Sequence, residues 1–290
     1  MAELAVGRER KPGSGFSQGL RRFAENRAAL AGLIVLLLIA LMGFIGPLVY
    51  PVNPFAIVAT PMAPPGDGAP LGADYLGRDV LAGILAGARV SLFIGISATF
   101  CTAIIGTVTG SIAGYYGGKA DTILMRITEF FQVLPPLLLS MVLVTLFSPS
   151  VLTVILSIGL VNWIGTARIV RAEFLRIKGE GYVLAERAMG AKNGRIIFRV
   201  ILPSALPSLI VVTTLQIGIA ILFAAALSFL GLTDPNVMTW GLMIGQSRPF
   251  IWQTWWAVTF PGIAIFMTVL SVSLIGDGLN EALNPRLRPR

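Results

Sequence analysis

Few side chains in this sequence are suited to catalysis. Its 290 residues contain no histidine and one cysteine, Cys101, which excludes a Ser–His or Cys–His pair and the usual kind of zinc site. The nearest match to the nucleotide-binding pattern G-x-x-x-x-G-K-[ST] is Gly117-Gly118-Lys119, which lacks the upstream glycine and is followed by Ala120. We therefore expect a chain that is not an enzyme and has no cofactor, no metal and no nucleotide of its own.

Two acidic residues lie close to long apolar stretches, Glu129 and Asp277. Gly276-Asp277 is similar to one half of an intramembrane aspartyl protease site, but no second aspartate is placed to share its proton. Both acids fall near the predicted membrane boundary, where a solvated or ion-paired carboxylate is the simpler interpretation. No apolar stretch has a charge near its centre, which argues against a carrier coupled to protons or sodium through buried carboxylates.

The most informative spacing is in residues 182–203, YVLAERAMGAKNGRIIFRVILP, between two apolar stretches. The segment has about two turns of good helix formers, then a glycine, a basic stretch and Leu202-Pro203. A short polar loop would suffice to connect two membrane helices, so the pattern predicts a docking element for a soluble partner. From the residues alone, an ordinary amphipathic helix at the membrane interface is the alternative.

Each predicted docking residue has a physical role in this interpretation. Small residues allow close backbone approach, apolar residues supply contact area, and Gly190 ends the helix in the left-handed conformation. Proline at the entry of the next apolar stretch stiffens it. The predicted docking residues are Val183, Leu184, Ala185, Glu186, Ala188, Met189, Gly190, Leu202 and Pro203.

Composition places the chain in a membrane. Hydrophobic residues make up 55% and charged residues 12%, whereas about a quarter of residues are charged in soluble domains. A crossing takes about 20 apolar residues, and the long run 130–167 is divided at Ser148-Pro149-Ser150. The sequence predicts an all-α polytopic membrane protein with six transmembrane helices, at residues 28–49, 90–115, 123–147, 151–171, 207–231 and 257–279.

The positions of lysine and arginine predict the orientation. All 22 except Arg78, Arg89 and Arg248 lie in the two terminal segments and in the loops after the second and fourth spans. The positive-inside rule makes those segments, and both termini, cytoplasmic, so the net charge of +8 needs no nucleic acid partner. The predicted organisation is a cytoplasmic tail (1–27), a first transmembrane helix (28–49), an extracytoplasmic proline-rich segment (50–89), a five-helix core (90–281) with a cytoplasmic coupling loop (172–203), and a basic tail (282–290).

The second predicted span is rich in Gly, Ser, Thr and Ala. Gly106 and Gly110 form a small-xxx-small pair, which lets membrane helices approach closely. Packing within the chain is the favoured interpretation, and a pore lining or a partner interface is the alternative.

Two external groups also have two interpretations each. Asp74, Arg78 and Asp79 either cap a short external helix or contact a partner subunit. The tryptophans around the last external loop, with Trp240 and Trp252 as candidates, form either an interfacial aromatic belt or contacts to an extracytoplasmic partner.

Residues 182–203 resemble the cytoplasmic loop motif of binding-protein-dependent ABC importer permeases, in which nine residues separate E-A-A-x-x-x-G from I-x-L-P. The matching residues are Ala185, Gly190, Leu202 and Pro203. Leu184 stands at the motif's Glu, Glu186 at its second Ala and Val200 at its Ile. The acid has in effect moved to a neighbouring position, which bears on any salt bridge of the motif Glu but not on docking.

Other segments narrow the resemblance to dipeptide and oligopeptide permeases of the DppC/OppC type, which have the MetI-like fold of type I importers. They cover nearly the whole chain, and they are residues 23–54, 71–80, 87–92, 113–118, 227–232, 240–241 and 260–279.

The resemblance implies a peptide importer of the bacterial cytoplasmic membrane. Its partners would be a second, related permease in a heterodimer, two ATP-binding subunits and an extracytoplasmic substrate-binding protein. The loop helix would lie in a groove on an ATPase, whose closure on ATP would reorient the spans and give alternating access.

Two other functions stay open. Within the same family, the alternative substrate is nickel, glutathione, an opine or another small solute. In a different class, the chain would be a stand-alone secondary transporter or channel, which would transport without a separate ATPase.

Overall fold

The computed structural model describes residues 21–283 and is mostly helical. The predicted tails therefore lie largely outside the described residues. The helices are α1 (Arg27–Val49), α2 (Val80–Tyr116), α3 (Gly118–Val133), α4 (Pro136–Leu146), α5 (Val151–Lys178), α6 (Gly181–Ala188), α7 (Asn193–Arg195), α8 (Leu202–Phe229), α9 (Trp240–Ser247) and α10 (Trp255–Leu283). A π-helical turn at Ile196–Ile201, called the π turn below, joins α7 to α8.

Within the described residues, five helical segments are long and apolar enough to cross a membrane, and α3 with α4 makes a sixth candidate. These segments confirm the predicted all-α polytopic fold. The predicted break before the fourth span is also confirmed, because Ser148 has a φ of 70° and the Ser150 side chain caps α5 by accepting from the Thr153 amide.

The third predicted span is not one straight helix. α3 and α4 are inclined by 87° to each other across the break at residues 134–135. Pro136 disfavours the helical conformation of the residue before it, and both Leu134 and Pro135 have extended ψ angles, 131° and 121°. The Pro135-Pro136 pair thus ends α3 and starts α4 in a new direction.

The helix that contains the second predicted span begins ten residues before the predicted residue 90. α2 is continuous over 37 residues, because Asp79 caps it at Val80 and no proline interrupts it before Gly117. Residues 50–79, the predicted external segment, are irregular and have two isolated β-bridges, Ile57 to Arg78 and Ala73 to Asp79.

The small residues of α2 pack against α5 inside the chain, as the favoured interpretation predicts. A Cβ added to Gly106 would lie 2.6 Å from the Thr166 Cβ, and one added to Gly110 would lie 2.4 Å from the Ala167 carbonyl oxygen. Since side chains cannot fit there, glycine sets the close approach of these two helices.

Three apolar clusters organise the described core. The external cluster contains Val80, Ile84, Ala88, Met238, Trp240, Met243, Trp256, Ala257 and Ile265. The middle cluster contains Ile94, Ala98, Val144, Val154, Ile155, Ile158, Ala220, Ala224 and Leu227. The loop cluster contains Tyr115, Val170, Phe174, Ile177, Val183, Ile196, Ile201, Ala205 and Leu209.

Candidate coupling site

The predicted docking helix is present as α6, and Gly190 ends it. Met189 is the C-terminal cap, and Gly190 has a φ of +81°. The Gly190 amide donates to the Arg187 carbonyl at 3.0 Å, and the Ala191 amide donates to the Glu186 carbonyl at 3.1 Å. These two bonds form a Schellman motif. A Cβ at Gly190 would meet no atom within 4 Å, so backbone conformation, not space, favours glycine here.

Val183 attaches α6 to the transmembrane helices. It has no exposed surface and belongs to the loop cluster, which joins the ends of α2, α5 and α8 that lie next to α6. Of the predicted docking residues, Val183 therefore packs on the chain's own core and presents no surface to a partner.

The outer face of α6 remains exposed and largely apolar. The side chains of Leu184 and Met189 are 51% and 75% exposed, and Tyr182 is also exposed. Ala185 and Ala188 are exposed beside them. A helix that is anchored on one face and carries small and apolar residues on the other is suited to lying in a groove of another protein.

Leu202 and Pro203 mark the start of α8 directly after the π turn. Leu202 packs against the loop cluster, and Pro203 is exposed. Pro203 has no amide N–H to donate to the Arg199 carbonyl, which disfavours a regular α-helical turn at this point. Instead, the Leu202 amide donates to the Ile197 carbonyl, five residues back, and the Ser204 hydroxyl donates to the Val200 carbonyl at 2.8 Å.

Tyr115, at the end of α2, connects several elements of this region. Its hydroxyl donates to the Asn193 Oδ1 at 2.8 Å, and Lys178 donates to its carbonyl oxygen. The cationic groups of Lys178 and Arg187 lie 5.6 and 5.9 Å from its ring centroid, within cation–π range. Sequence reasoning did not single out Tyr115, because its partners come from α5, α6 and α7.

Glu186, the acid that stands at the second Ala of the loop motif, forms an ion pair with Arg195 of the same loop. The Arg195 Nε lies 3.4 Å from the Glu186 Oε2, and the two side chains are 56% and 26% exposed. Such a partly exposed pair contributes little to stability, so its main effect is to orient the Glu186 side chain toward α7.

Ion pairs also tie α5 to its neighbours. Arg171 binds both carboxylate oxygens of Asp121 on α3, at 2.5 and 2.6 Å. Glu173 accepts from the Ser208 hydroxyl on α8 at 2.8 Å, and it pairs with Arg176. These contacts fix the loop end of α5 between α3 and α8, and no local pattern in the sequence indicates which of these residues pair.

The external acids Asp79 and Asp74 have structural roles in the described chain. Asp79 is 1% exposed, and its Oδ1 accepts from the Leu81 and Ala82 amides at the start of α2. The Tyr50 hydroxyl donates to its Oδ2 at 2.5 Å. This hydrogen bond, together with burial and the carboxylate charge, raises the pKa of Tyr50 to about 12. Asp74 accepts from the Leu76 and Arg78 amides and closes a turn.

The remaining candidates, Trp240, Arg78 and Trp252, differ in how much of each side chain is exposed. Trp240 is 1% exposed and donates from its Nε1 to the Ile84 carbonyl at 3.1 Å, so it packs in the external cluster and is not a surface contact. Arg78 lies over the Phe55 ring and within 3.4 Å of the Gln246 Oε1. Trp252 is 91% exposed, whereas Asp74 and Arg78 are partly buried, so Trp252 is the most exposed of these residues.

Asp79→Ala is expected to destabilise the chain by about 1–2 kcal/mol, because it removes the cap of α2. Asp79→Asn keeps an acceptor for the capping amides and should retain most of that stability. The measurement is the thermal unfolding midpoint of each purified variant in one detergent. Equal midpoints for wild type and Asp79→Ala would show that the cap adds nothing.

Two family profiles match the sequence. Residues 106–289 match "Binding-protein-dependent transport system inner membrane component", and residues 14–65 match "N-terminal TM domain of oligopeptide transport permease C". The second match covers α1, which lies before the region of the first match.

Several curated relatives align with nearly the whole chain. The dipeptide transport system permease protein DppC of Bacillus subtilis is 39% identical over 96% of this chain and 88% of its own length. The oligopeptide transport system permease protein OppC of the same organism is 36% identical over 94% and 90%. The glutathione transport system permease protein GsiD of Pectobacterium atrosepticum is 37% identical over 99% and 97%.

A solved structure shares the fold. One chain of the MetNI methionine ABC transporter, in an inward-facing conformation, superposes on this chain with a TM-score of 0.56 and 18% sequence identity. The superposition covers 70% of this chain and 96% of the MetNI chain. The family profile and the relatives show that the chain belongs to the family of binding-protein-dependent transport system inner membrane components, the permeases of ABC importers.

Proposed function

We propose that the chain is one permease subunit of an ATP-driven importer of dipeptides or oligopeptides in the bacterial cytoplasmic membrane. The observation that carries this proposal is α6, a short capped helix with one face anchored in the loop cluster and the other exposed. The names of the relatives, dipeptide and oligopeptide permeases, support the substrate class.

The exposed face of α6 is the proposed contact to an ATP-binding subunit. Leu184 and Met189 supply apolar contact area, and Ala185 and Ala188 let the partner backbone approach. Two such subunits serve the transporter, one for each permease. Since the sequence carries no P-loop, ATP hydrolysis belongs to those subunits.

A displacement of α6 would be transmitted to the spans through direct contacts. Val183 transmits it into the loop cluster, and Arg187 and Asn193 contact Tyr115 at the end of α2. The π turn leads without a break into α8. Movement of α6 therefore displaces the ends of α2, α5 and α8 together, which is what alternating access requires of a coupling element.

The other partners follow from the family and the charge pattern. A second, paralogous permease forms a heterodimer with this chain, and an extracytoplasmic binding protein delivers substrate. Both termini and α6 lie on the cytoplasmic side, where lysine and arginine are concentrated. Trp252, on the opposite side and 91% exposed, is the candidate contact for the binding protein or the lipid interface.

Glutathione import is the second candidate function. It is favoured by the glutathione permease that is 37% identical over 99% of this chain. Glutathione is itself a small peptide, so the two candidates differ in cargo and share the same mechanism.

The test is a mild-detergent purification of the tagged chain with its partners, followed by uptake assays in proteoliposomes. We expect a second six-span permease and P-loop ATPases to copurify, and ATP-dependent uptake of labelled dipeptides. Uptake of glutathione without dipeptides would favour the second candidate. A chain that purifies alone and transports without ATP would contradict the importer proposal.

Tyr115→Ala should lower peptide uptake per ATP hydrolysed far more than Tyr115→Phe does. The alanine variant loses the buried ring, worth about 3–5 kcal/mol of packing, whereas the phenylalanine variant loses one hydrogen bond, worth about 1 kcal/mol. Tyr116, whose side chain is 55% exposed, is the matched control, and Tyr116→Ala should keep normal coupling. If Tyr115→Ala and Tyr116→Ala couple equally well, Tyr115 does not transmit the movement.

A further inference from the structure

The Gln216 side chain contacts the backbone of Asn162 near the middle of the spans. Asn162 lies near the centre of α5 and Gln216 at the centre of α8, each helix having 28 residues. The Gln216 Nε2 donates to the Asn162 carbonyl oxygen at 3.2 Å, and the Asn162 Nδ2 donates to the Ile158 carbonyl at 3.0 Å. Both residues are half-buried. Polar side chains at this depth are uncommon and usually functional.

The amide pair separates two apolar clusters along the contact between α5 and α8. Toward the Val151 end of α5, the two helices meet in the middle cluster, through Ile158 and Ala220. Toward the Lys178 end, they meet in the loop cluster, through Phe174 and Leu209. Asn162 and Gln216 therefore form a polar layer between the middle cluster and the loop cluster, in both of which α5 and α8 pack through apolar side chains.

One side of the pair is open. Gly165, about one turn from Asn162, is exposed, and a Cβ there would meet no atom within 4 Å. Ile169, one turn further on the same face of α5, is 41% exposed, whereas Ile158, one turn in the other direction, is fully buried. The face of α5 that carries Asn162 is thus closed on one side of this residue and open on the other.

The hydrogen-bonding capacity of the pair is only partly used. Among residues 21–283, neither Asn162 Oδ1 nor Gln216 Oε1 accepts a hydrogen bond, and each amide nitrogen makes a single one. Hydrocarbon offers no partner for these groups, so exposing them to lipid is unfavourable. Their open side is suited to water or to a polar ligand.

We propose that Asn162 and Gln216 line the translocation pathway and hydrogen-bond to the peptide backbone of the cargo. The inference rests on the proposed function, since it takes a peptide as the transported solute. An amide both donates and accepts, which matches the N–H and C=O of a peptide bond. It is also neutral, and no span has a charge near its centre, so contact of this kind favours no particular cargo side chain.

Cysteine accessibility in the assembled transporter tests the position of the pair. Cys101 is the only cysteine of the chain, so Cys101→Ala gives a background without thiols, and Gln216→Cys adds one. The probe is a membrane-impermeant methanethiosulfonate, with labelling of this subunit read by mass. Leu160→Cys is the matched control, because Leu160 is 50% exposed, near the same depth, and two residues from Asn162, on the opposite side of α5.

We expect the reagent to modify Gln216→Cys and not Leu160→Cys, and a saturating dipeptide to slow the modification. A thiol at 216 that never reacts, or that reacts equally fast with and without dipeptide, would overturn the inference. If Gln216→Cys fails to assemble, Gly165→Cys replaces it, since its side chain enters open space.

Kinetics separate cargo contact from a structural role. Gln216→Met keeps the length of the side chain and removes the amide, and it should raise the KM for dipeptide about fivefold, as expected for one lost hydrogen bond, with little change in kcat. A fall in kcat at constant KM would contradict direct contact. Wild-type transporter that takes up no peptide would instead overturn the proposed function, whereas peptide uptake without protection at residue 216 overturns this inference alone.

Discussion

Replacing Gly190 with valine is expected to uncouple ATP hydrolysis from uptake or to prevent assembly with the ATPases. Gly190 has a φ of +81°, a conformation that costs a residue with a side chain roughly 1–2 kcal/mol, and more if it is β-branched. Valine would therefore favour a different backbone path and weaken the two bonds that end α6. A penalty of about 1–2 kcal/mol lowers the population of the native loop roughly 5- to 30-fold relative to the alternatives.

Gly190→Asn is the matched control. Asparagine tolerates the left-handed conformation far better than valine, and a Cβ at this position meets nothing within 4 Å. The asparagine variant should thus retain most of the uptake. Uptake per ATP hydrolysed and copurification of the ATPases are the two readouts. Normal values of both in Gly190→Val would refute a coupling role for the end of α6.

Local chemistry explains why α6 was predictable from the sequence. The helix formers before Gly190 and the glycine that tolerates the left-handed conformation lie within a few residues of each other, so both are visible in the sequence. The structure has the Schellman motif at that point. The same is true of the break before α5, where Ser148 and Ser150 form the turn and the cap.

Which side of α6 faces the core was not predictable in the same way. Val183 and Leu184 are both aliphatic neighbours, yet one is fully buried and the other 51% exposed. Burial of Val183 depends on Phe174 and Ile196 of the loop cluster, which arrive from other elements. A helix of eight residues gives too little periodicity to decide its inner face.

The burial of the external candidates was also not predictable, because it depends on residues from other helices. A tryptophan beside a polar loop is equally typical of an exposed interfacial belt and of a buried anchor. Trp240 is buried because α9 packs closely against α2, where a Cβ at Gly87 would lie 3.0 Å from the Trp240 Cδ1 and the Ile84 carbonyl accepts from the Trp240 Nε1. Trp252 has no such neighbour and stays exposed. Sequence alone contains the residue types but not this approach of two helices.

Two prolines in the sequence indicate the bend between α3 and α4, but the prediction from hydropathy treats this segment as one helix. Pro135 and Pro136 lie inside residues 123–147, the third predicted span, and adjacent prolines disfavour a continuous helix. Hydropathy does not reveal the break, because the sequences of α3 and α4 next to it are both apolar. Backbone chemistry therefore outweighs apolar length in placing helix ends within a span.

Gly110→Ala is expected to be among the most destabilising single-methyl changes in the chain. The added Cβ would lie 2.4 Å from the Ala167 carbonyl oxygen and 2.7 Å from the Val170 Cβ. Neither atom can rotate away, so α2 and α5 must separate along their contact. Overpacking of this kind costs about 1–3 kcal/mol, and here it opposes the gain of about 1 kcal/mol in helix propensity from Gly to Ala.

Gly262→Ala in α10 isolates the steric part of that effect. It is the same substitution inside a long helix, but a Cβ at Gly262 meets no atom within 4 Å. Its thermal midpoint in detergent should equal or exceed that of wild type, whereas Gly110→Ala should unfold at a lower temperature and be recovered in smaller amounts. Equal midpoints for the two variants would mean that α2 and α5 are not held at the distance that their glycines permit. The consequence would reach α6, because the Gly110 contact and Tyr115 lie on the same stretch of α2, and a shifted α2 would move Tyr115 away from Asn193.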